Sequence, residues 1–414
     1  MNPRLLENYR RELLHMRDMG GQFAEEYPKI AGRLGLDTLD CSDPYVERLL
    51  EGFAFMAARV DLKIESSYDR LARHLLEMVY PGHLSPTPSM LIAEFKPTLQ
   101  EGSLTDGFTI ERGTKLRSQP TPDTQTECDF RTAHDLTLWP VEISEFRILT
   151  SKTAIKAAGV NAPDSVRSAI GLKLSSTNAV PFSELPIDSL SFHLCGADNA
   201  GAQLYEQFFR HTQAIAVTVD GKAIQRPGAQ VTIDRQGYED NEALLPVSAR
   251  NFQGKRLIQE YFAFPDRYRF MQASNLSRYL QRCDSQSVEL IFLFDNSDDS
   301  LAALYSQENI RLNCVPAVNL FPKSADRIHL DRKNHEYHAI PDRTKPLDFE
   351  IFSVEGVKGY GSNQTDTQEF HAFYHVNEQR RNANAFFHVH REPRELKSKQ
   401  KRRGPRASYL GSEV

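Results

Sequence analysis

A run of apolar residues at helical spacing between residues 43 and 80 constrains the fold of this chain more than any other feature. Asp43 is a favourable N-cap and Pro44 suits the first helical position. The run stops at Tyr80-Pro81-Gly82, and Ser66-Ser67 predicts a break within it. Its apolar residues recur every three or four positions, which places them on one face of an α-helix: Val46, Leu49, Leu50, Phe53, Met56, Ala57, Val60, Ile64, Leu71, Leu75, Met78 and Val79.

A second helical pattern occupies residues 3 to 28. Gly20-Gly21 predicts a weak or bent point, because glycine loses much backbone entropy in a helix. Pro28 predicts the end of the helix. The apolar stripe of this helix consists of Leu5, Leu6, Tyr9, Leu13, Met16, Phe23 and Tyr27.

Two helices alone cannot cover both apolar stripes along their whole length. We therefore predict that Leu49, Phe53, Met56 and Val60 form the core of a helix bundle. The sequence leaves open whether the helices that pack on them belong to this chain or to a partner.

After Pro86-Thr87-Pro88 the pattern changes to short alternating runs separated by turn residues, which is typical of β-strands. The first predicted strands are Met90–Phe95, Phe108–Ile110, Thr114–Arg117, Cys128–Thr132, Leu136–Trp139, Val141–Leu149 and Ile170–Leu174. A mixed region follows, with strands at Leu190–Leu194, Ala214–Val219 and Val288–Phe294 and helices at Gln203–His211, Gly254–Phe264 and Leu301–Asn309. The last predicted strands are Leu347–Glu355, Phe370–Val376 and Ala385–His390, with Gly356–Asp366 as a loop.

These patterns predict an α+β protein with an N-terminal helical region followed by two or more β-rich domains. We predict four parts: a helical region at 1–84, a small β domain at 85–180, a mixed α/β domain at 181–330 and a β-rich domain at 331–414. Ser408–Val414 has the character of a strand that is just beginning, so we expect the last domain to be truncated at its C-terminus.

The composition excludes several classes of protein. The net charge of -5 gives no basic excess that would attract nucleic acid or anionic lipid. Val288–Phe294 is the longest apolar run, far short of the roughly 20 residues that span a bilayer. The charged N-terminus lacks the apolar segment of a signal peptide. We therefore expect a cytoplasmic protein without direct membrane insertion and without a nucleic-acid partner.

The cysteines give no sign of a metal or redox motif. Cys41, Cys128, Cys195, Cys283 and Cys314 are widely spaced, and no CxxC pair occurs. Such a scattered set is typical of reduced thiols in a cytosolic protein. We expect them to act as small buried apolar residues.

Three histidine pairs are the strongest candidates for chemistry: His335 with His338, His371 with His375, and His388 with His390. Zinc requires three or four convergent ligands, no HExxH motif occurs in the chain, and His335-Glu336-Tyr337-His338 has the wrong spacing for one. His388 and His390 would face the same side of a strand. Structural or surface histidines are the expected interpretation, and a metal-dependent hydrolase that uses these C-terminal histidines is the alternative function.

The remaining motifs are weaker still. The chain has no GxSxG nucleophile elbow, and the glycines near residue 359 lack the GK[ST] ending of a phosphate-binding loop. The basic run over residues 394–406 predicts a solvated loop, with an acidic protein or nucleic acid as alternative partners. We expect no enzyme activity, no catalytic or metal-binding residue and no cofactor.

Three long segments resemble the TssF family of type VI secretion proteins. They are MNPRLLENYRRELLHMRDMGGQFAEEYPKIAGRLGL, CSDPYVERLLEGFAFMAARVDLKIE and HLLEMVYPGHLSPTPSM. The resemblance continues through Arg112-Gly113-Thr114, Cys128–Thr132 and Leu138-Trp139-Pro140 to the RRGPRASYLGSEV tail. A shorter likeness, ERGTKL followed by CDFRTAHDLTL, is to the J-like wedge proteins of contractile phage baseplates and their small β domain.

The resemblance implies a structural subunit of the type VI baseplate wedge, also called VasA-like or ImpG-like. Two copies of such a chain would assemble with one TssG-like subunit, together with TssE-like and TssK-like subunits. Six wedges would surround a VgrG-like spike hub and nucleate tube and sheath assembly. The resemblance also implies recruitment to the inner membrane through other secretion-system components, and family members usually continue beyond residue 414.

Overall fold

The structure is a computed structural model of the chain. It describes residues 3–34, 43–98, 104–119, 127–197, 199–224, 230–247, 252–281, 283–296, 305–331, 333–361, 367–373, 385–394 and 411–414. Within these ranges the helices are α1 (Pro3–Glu26), α2 (Pro28–Leu34), α3 (Pro44–Val79), α4 (Lys152–Ala157), α5 (Ala200–His211), α6 (Gln253–Ala263) and α7 (Ser277–Leu280).

The strands form antiparallel sheets with one parallel pair, β17 with β18. They are β1 (Met90–Glu94), β2 (Phe108–Ile110), β3 (Lys115–Arg117), β4 (Asp129–Thr132), β5 (Leu136–Leu138), β6 (Val141–Leu149), β7 (Ser168–Ser176), β8 (Leu190–Leu194), β9 (Thr212–Val219), β10 (Lys222–Ala223), β11 (Thr232–Arg235), β12 (Phe270–Ser274), β13 (Ser287–Phe294), β14 (Ile310–Arg311), β15 (Cys314–Val318), β16 (Val357–Tyr360), β17 (Thr367–Ala372), β18 (Phe386–Phe387), β19 (Glu392–Pro393) and β20 (Ser412–Glu413). N-terminal helices followed by several sheets confirm the predicted α+β class.

The chain forms two compact units. The first comprises residues 1–85 and 353–391, and the second comprises residues 86–352 and 392–414. This division differs from the four predicted domains. The predicted boundary at residue 180 is wrong, because β7 pairs along its whole length with β13 in one sheet. Alternation within single strands does not reveal which distant strands pair.

The first unit is built on an antiparallel pair of long helices, α1 and α3. Two ion pairs fix their direction: Arg11 lies 3.2 Å from Asp61, and Arg17 lies 3.0 Å from Glu47. The Asp43 carboxylate accepts a hydrogen bond from the Tyr45 amide and caps α3, as predicted. The same unit contains the small sheet in the order β16-β17-β18.

The predicted break at Ser66-Ser67 is wrong. Helix α3 runs without interruption for 36 residues. The Ser67 hydroxyl donates to the carbonyl of Lys63, one turn earlier, at 3.0 Å. This bond satisfies the serine inside the helix, where its side chain would otherwise compete with the backbone.

The second unit has its core between two sheets. The five-stranded sheet has the order β10-β9-β13-β7-β6, and the facing sheet has the order β11-β12-β8-β14. Leu172 and Phe292 from the first sheet join Phe192 and Met271 from the second in one buried cluster, together with Phe208 of α5. The opposite face of β13, with Ile291 and Leu293, packs on Ile155 of α4. Burial on both faces explains why β13 is almost continuously apolar.

Three predictions near the C-terminus need correction. Leu347–Glu355 forms no strand, since Phe349 packs instead on Phe321 and beneath the Lys323 ammonium group. The strand β16 lies within the predicted loop Gly356–Asp366, because Val357–Tyr360 pairs with Thr367–Phe370 of β17. Of the predicted strand Ala385–His390, Phe386–Phe387 forms the strand β18.

Several sequence features lie outside the described residues. These are Cys41, His375, residues 362–366, residues 301–304 of the helix predicted at Leu301–Asn309, and the basic run beyond Arg394. Gln307–Asn309 forms a single 3-10 turn. Arg394 donates to the carbonyl of Phe349 at 3.2 Å and lies 3.4 Å from Glu413, so it has a structural role at β20.

Candidate interaction surface

Helix α3 carries a continuous row of exposed, large apolar side chains. Each member follows the previous one by three or four residues, so the row forms one stripe along the helix. The members of this α3 stripe are Tyr45, Leu49, Phe53, Met56, Val60, Ile64, Tyr68, Leu71, Leu75 and Val79. Single exposed apolar residues are ordinary on protein surfaces, whereas a contiguous apolar patch marks an interaction site.

The packing of α1 on α3 explains why these side chains point outward. Ala54 and Ala58 lie one turn apart on α3 and are fully buried. Asn8 of α1 is also buried, and α1 packs along α3. Methyl side chains allow two helices to approach closely, so the face of α3 that meets α1 is the alanine face. The larger residues therefore remain on the adjacent, open face.

The four residues predicted to form a bundle core all belong to the α3 stripe. Leu49 is 73% exposed, Phe53 is 62% exposed, and Met56 and Val60 are each 55% exposed. They are therefore not a core within the described part of this chain. Their packing against a partner helix stays a prediction.

A second exposed apolar row follows α1 into α2. Met19, Phe23, Tyr27 and Ile30 are exposed at spacings of three and four residues, and Leu14 is exposed nearby on α1. The sequence pattern places Phe23 and Tyr27 on the apolar stripe of the first helix. Met19 and Ile30 continue the three- and four-residue spacing of these apolar residues across Pro28, the predicted end of the helix.

Helix α6 of the second unit has the reverse of the usual amphipathic pattern, because charged side chains are buried and aromatic side chains are exposed. Arg256 and Glu260 are buried, while Phe252, Ile258 and Phe262 are exposed. Arg256 lies 2.9 Å from Asp240 and 3.3 Å from Glu260. The sequence predicted this helix but not its exposed face. The sequence feature that could have revealed the exposed face is the Arg256/Glu260 pair. These two residues are one turn apart, on the side of the helix opposite the aromatics.

The buried charges under α6 are mutually compensated. The Glu260 carboxylate also pairs with Arg267, which is fully buried. Burial lowers the pKa of Arg267 to about 10, so its guanidinium still carries a charge at neutral pH. A buried ion needs paired charges and hydrogen bonds to be tolerated. The Arg267 side chain accordingly donates to the carbonyls of Gly237 and Glu242 at 2.6 and 3.0 Å.

A cavity of about 410 Å³ in the second unit brings two thiols near a histidine, but it does not favour nucleophilic chemistry. Burial raises the pKa of the Cys314 thiol to about 12, and it also raises the pKa of Cys195. Burial lowers the pKa of His193 to about 4. The thiols are therefore protonated at neutral pH, and thiolates rather than thiols are the nucleophiles.

The histidine pairs do not form one site. His335 and His338 are exposed in an irregular segment of the second unit, whereas His371 lies on β17 of the first unit. His388 and His390 face one side of their segment, as predicted, and both approach Glu77 of α3. Among the described residues, no group of three or more histidine, cysteine or acidic side chains could hold a metal ion as placed.

None of the described helices is both long enough and apolar enough to cross a membrane. The long helices α1 and α3 alternate their apolar residues with charged ones.

A family model for type VI secretion system TssF matches residues 1–414. The chain belongs to the TssF family. A curated member, type VI secretion system component TssF1 of Pseudomonas aeruginosa, is 45% identical over 416 residues, covering all of this chain and 67% of the relative.

Two solved structures resemble this TssF chain. One belongs to a TssK-TssF-TssG baseplate subcomplex determined by cryo-electron microscopy, with TM-score 0.67 and 22% identity over 89% of this chain and 65% of that chain. The other is from a type VI baseplate complex, with TM-score 0.48 and 20% identity over 99% of this chain and 66% of that chain. The first confirms the fold. The present chain thus spans about two thirds of the relatives that it matches.

Proposed function

We propose that this chain is a structural subunit of the type VI secretion baseplate, and that its α3 stripe packs against helices of a second baseplate protein. The exposed apolar face of this 36-residue helix is the observation that carries the proposal. Membership of the TssF family supports it, as does the fold shared with a chain of a TssK-TssF-TssG baseplate subcomplex.

The energetics favour a partner in an assembly. Fully burying a large apolar side chain is worth about 1.5–3 kcal/mol. Leu49 and Phe53 lie one turn apart in the N-terminal third of α3, on a face that carries apolar residues over almost the whole helix. Interfaces of obligate assemblies are apolar in this way, like a protein core divided between two chains.

The proposed role is assembly rather than catalysis. The cavity lined by His193, Cys195 and Cys314 holds protonated thiols and a neutral imidazole, which gives no activated nucleophile. The alternative of a metal-dependent hydrolase finds no support among the described residues, where no group of three or more histidine, cysteine or acidic side chains is placed to hold a metal ion.

The proposed assembly has two copies of this chain and one TssG-like subunit in each wedge. TssE-like and TssK-like subunits would complete the wedge, and six wedges would position a VgrG-like spike hub for tube and sheath assembly. The chain would work in the cytoplasm and reach the inner membrane through other secretion components. No direct membrane insertion and no nucleic-acid partner are proposed.

The first test is co-expression with the TssG-like protein of the same source, followed by light scattering on the purified complex. We expect a stable complex with a ratio of two to one. The double variant Leu49→Glu, Phe53→Glu should weaken the complex at least about a hundredfold, because two anchors of about 1.5–3 kcal/mol each are lost.

The matched control is Arg73→Glu, which changes the charge at an exposed position of α3 that lies three or four residues from no member of the stripe. This variant should bind like the unmodified chain. A monomer without affinity for the TssG-like protein, or a double variant that binds normally, would contradict the proposal.

A further inference from the structure

Glu77 occupies an unfavourable position in the last turn of α3. Its side chain is only 12% exposed, and one of its carboxylate oxygens, Oε2, is buried without a hydrogen bond. The last turn of α3 contains no basic residue. The C-terminal end of a helix carries partial negative charge, which disfavours a carboxylate there. A buried anion at this end therefore needs positive charge from elsewhere.

Three imidazoles surround this carboxylate. His74 Nδ1 lies 3.5 Å from Glu77 Oε2, and His388 Nε2 lies 3.7 Å from the same oxygen. His390 Nδ1 lies 3.7 Å from the other oxygen, Oε1. The rings of His74 and His390 stack with their centroids 5.9 Å apart. These distances are those of ion pairs rather than hydrogen bonds, so the attraction depends on the charge of the imidazoles.

The cluster joins two parts of the first unit that are distant in sequence. His74 and Glu77 belong to α3, whereas His388 and His390 follow β18 of the small sheet. All three histidines lie within 4 Å of the Glu77 carboxylate. The nearby turn after α3 adds only His83, whose ring packs on Tyr80.

We propose that His74, His388 and His390 form a proton-dependent clamp on Glu77, which fastens the small sheet to the end of α3. Imidazole is the side chain that gains charge between about pH 8 and 5. At these distances a charged imidazole attracts the Glu77 carboxylate more strongly than a neutral one does, so charge on the histidines strengthens the contact. The clamp also holds the turns that present Leu75 and Val79 of the α3 stripe, so it links proton binding to the geometry of that surface.

Hydrogen exchange of this 414-residue chain tests the clamp without any partner. The amides of His371 and Phe373 donate to the carbonyls of Ala385 and Phe387, so their exchange reports whether the segment before the histidines stays docked. After correction for intrinsic exchange, we expect protection of these amides to be greater at pH 6.3 than at pH 8.3, by on the order of fivefold.

The variant Glu77→Gln keeps the shape of the side chain and removes its charge, so the ratio between the two pH values should fall to about one. The double variant His388→Gln, His390→Gln should also bring this ratio to about one. It provides an independent test in case Glu77→Gln fails to fold. His15→Gln, at an exposed site on α1, should keep the ratio of the unmodified chain.

Each other outcome would overturn the clamp. Equal protection at both pH values in the unmodified chain would exclude it, and so would a ratio that survives in both variants. Loss of the protection on addition of EDTA would show that a metal ion, rather than a proton, joins these residues. Since no partner protein is present, failure here leaves the proposed baseplate role unaffected.

Discussion

His193 illustrates how a single buried group links the stability of this protein to pH. Its ring is buried on β8 against Phe270, with centroids 4.7 Å apart, and its Nε2 atom has no hydrogen-bond partner. Burial lowers its pKa to about 4 from an ordinary value of 6.5. The folded state therefore favours the neutral imidazole, and its stability is complete above the pKa of the unfolded chain.

This stability should be lost as the pH falls from about 6.5 through 4. The difference between the two pKa values corresponds to a contribution on the order of 3 kcal/mol. We expect His193→Gln to remove most of this acid sensitivity, as measured by urea unfolding at pH 7 and pH 4. Because Trp139 belongs to the same core, its fluorescence reports on this unit. The exposed His15→Gln variant should leave the pH dependence unchanged, and equal acid sensitivity in both variants would refute the explanation.

Gly171 on β7 makes room for a partly buried ion pair across the five-stranded sheet. Arg147 of the edge strand β6 reaches over β7 to Glu289 of β13, with its Nε 3.1 Å from Oε1. A methyl group on Gly171 would lie 2.4 Å from that oxygen. Any side chain at this position must displace one of the two charged groups.

We expect Gly171→Ala to lower the free energy of unfolding by about 1–3 kcal/mol, in the range of overpacked sites. The control is Gly52→Ala on α3, where a methyl group would meet nothing within 4 Å. That change should stabilise the helix by about 0.5–1 kcal/mol, because alanine loses less backbone entropy. Chemical denaturation followed by Trp139 fluorescence and by circular dichroism measures the free energy of unfolding of both variants. An unchanged free energy of unfolding for Gly171→Ala would contradict the close contact.

At the scale of elements, the contact between α1 and α3 decides which side chains the first unit presents. The alanine face of α3 packs against α1, and the larger residues lie on the open face. Helix α6 of the second unit also exposes its large apolar side chains. Its buried face contains an ion pair, and its aromatic residues face outward. In both helices the side chains with the largest apolar area are those that remain uncovered.

Enlarging the alanine face should separate the two helices. We expect Ala54→Leu to destabilise the first unit by about 1–3 kcal/mol, because the extra atoms cannot fit at a fully buried position. The matched change Met56→Leu, at an exposed position two residues away, should leave the stability of the isolated chain nearly unchanged. Unfolding followed by far-ultraviolet circular dichroism measures both. Unchanged stability of Ala54→Leu would show that α1 and α3 are not closely packed at residue 54.

At the scale of the whole molecule, each unit is assembled from distant parts of the sequence. Residues 353–391 join the N-terminal helices, and residues 392–414 join the β-rich unit. Apolar surface remains exposed on both units, on α3 and on α6. A protein that is complete by itself would bury such surface, so these faces agree with a subunit that reaches its final stability in an assembly.

The sequence by itself determined the local elements and the family. Asp43 and Pro44 start α3, the alternation of Val141–Leu149 gives β6, and the apolar run Val288–Phe294 gives a strand buried on both faces. These features depend on short-range spacing and capping, which are visible in any window of the chain. The segments shared with the TssF family are equally local, which is why the family prediction was confirmed.

Only the tertiary structure decided which elements meet. Pairing of β7 with β13 places the core across the predicted boundary at residue 180, and Leu347–Glu355 forms no strand although it alternates. Helical periodicity located the apolar stripe of α3 but did not show that Ala54 and Ala58 would take the inner face. Likewise, no local pattern brings His388 and His390 to Glu77. Each of these outcomes depends on contacts between residues far apart in the chain, and single-strand or single-helix patterns carry no information about them.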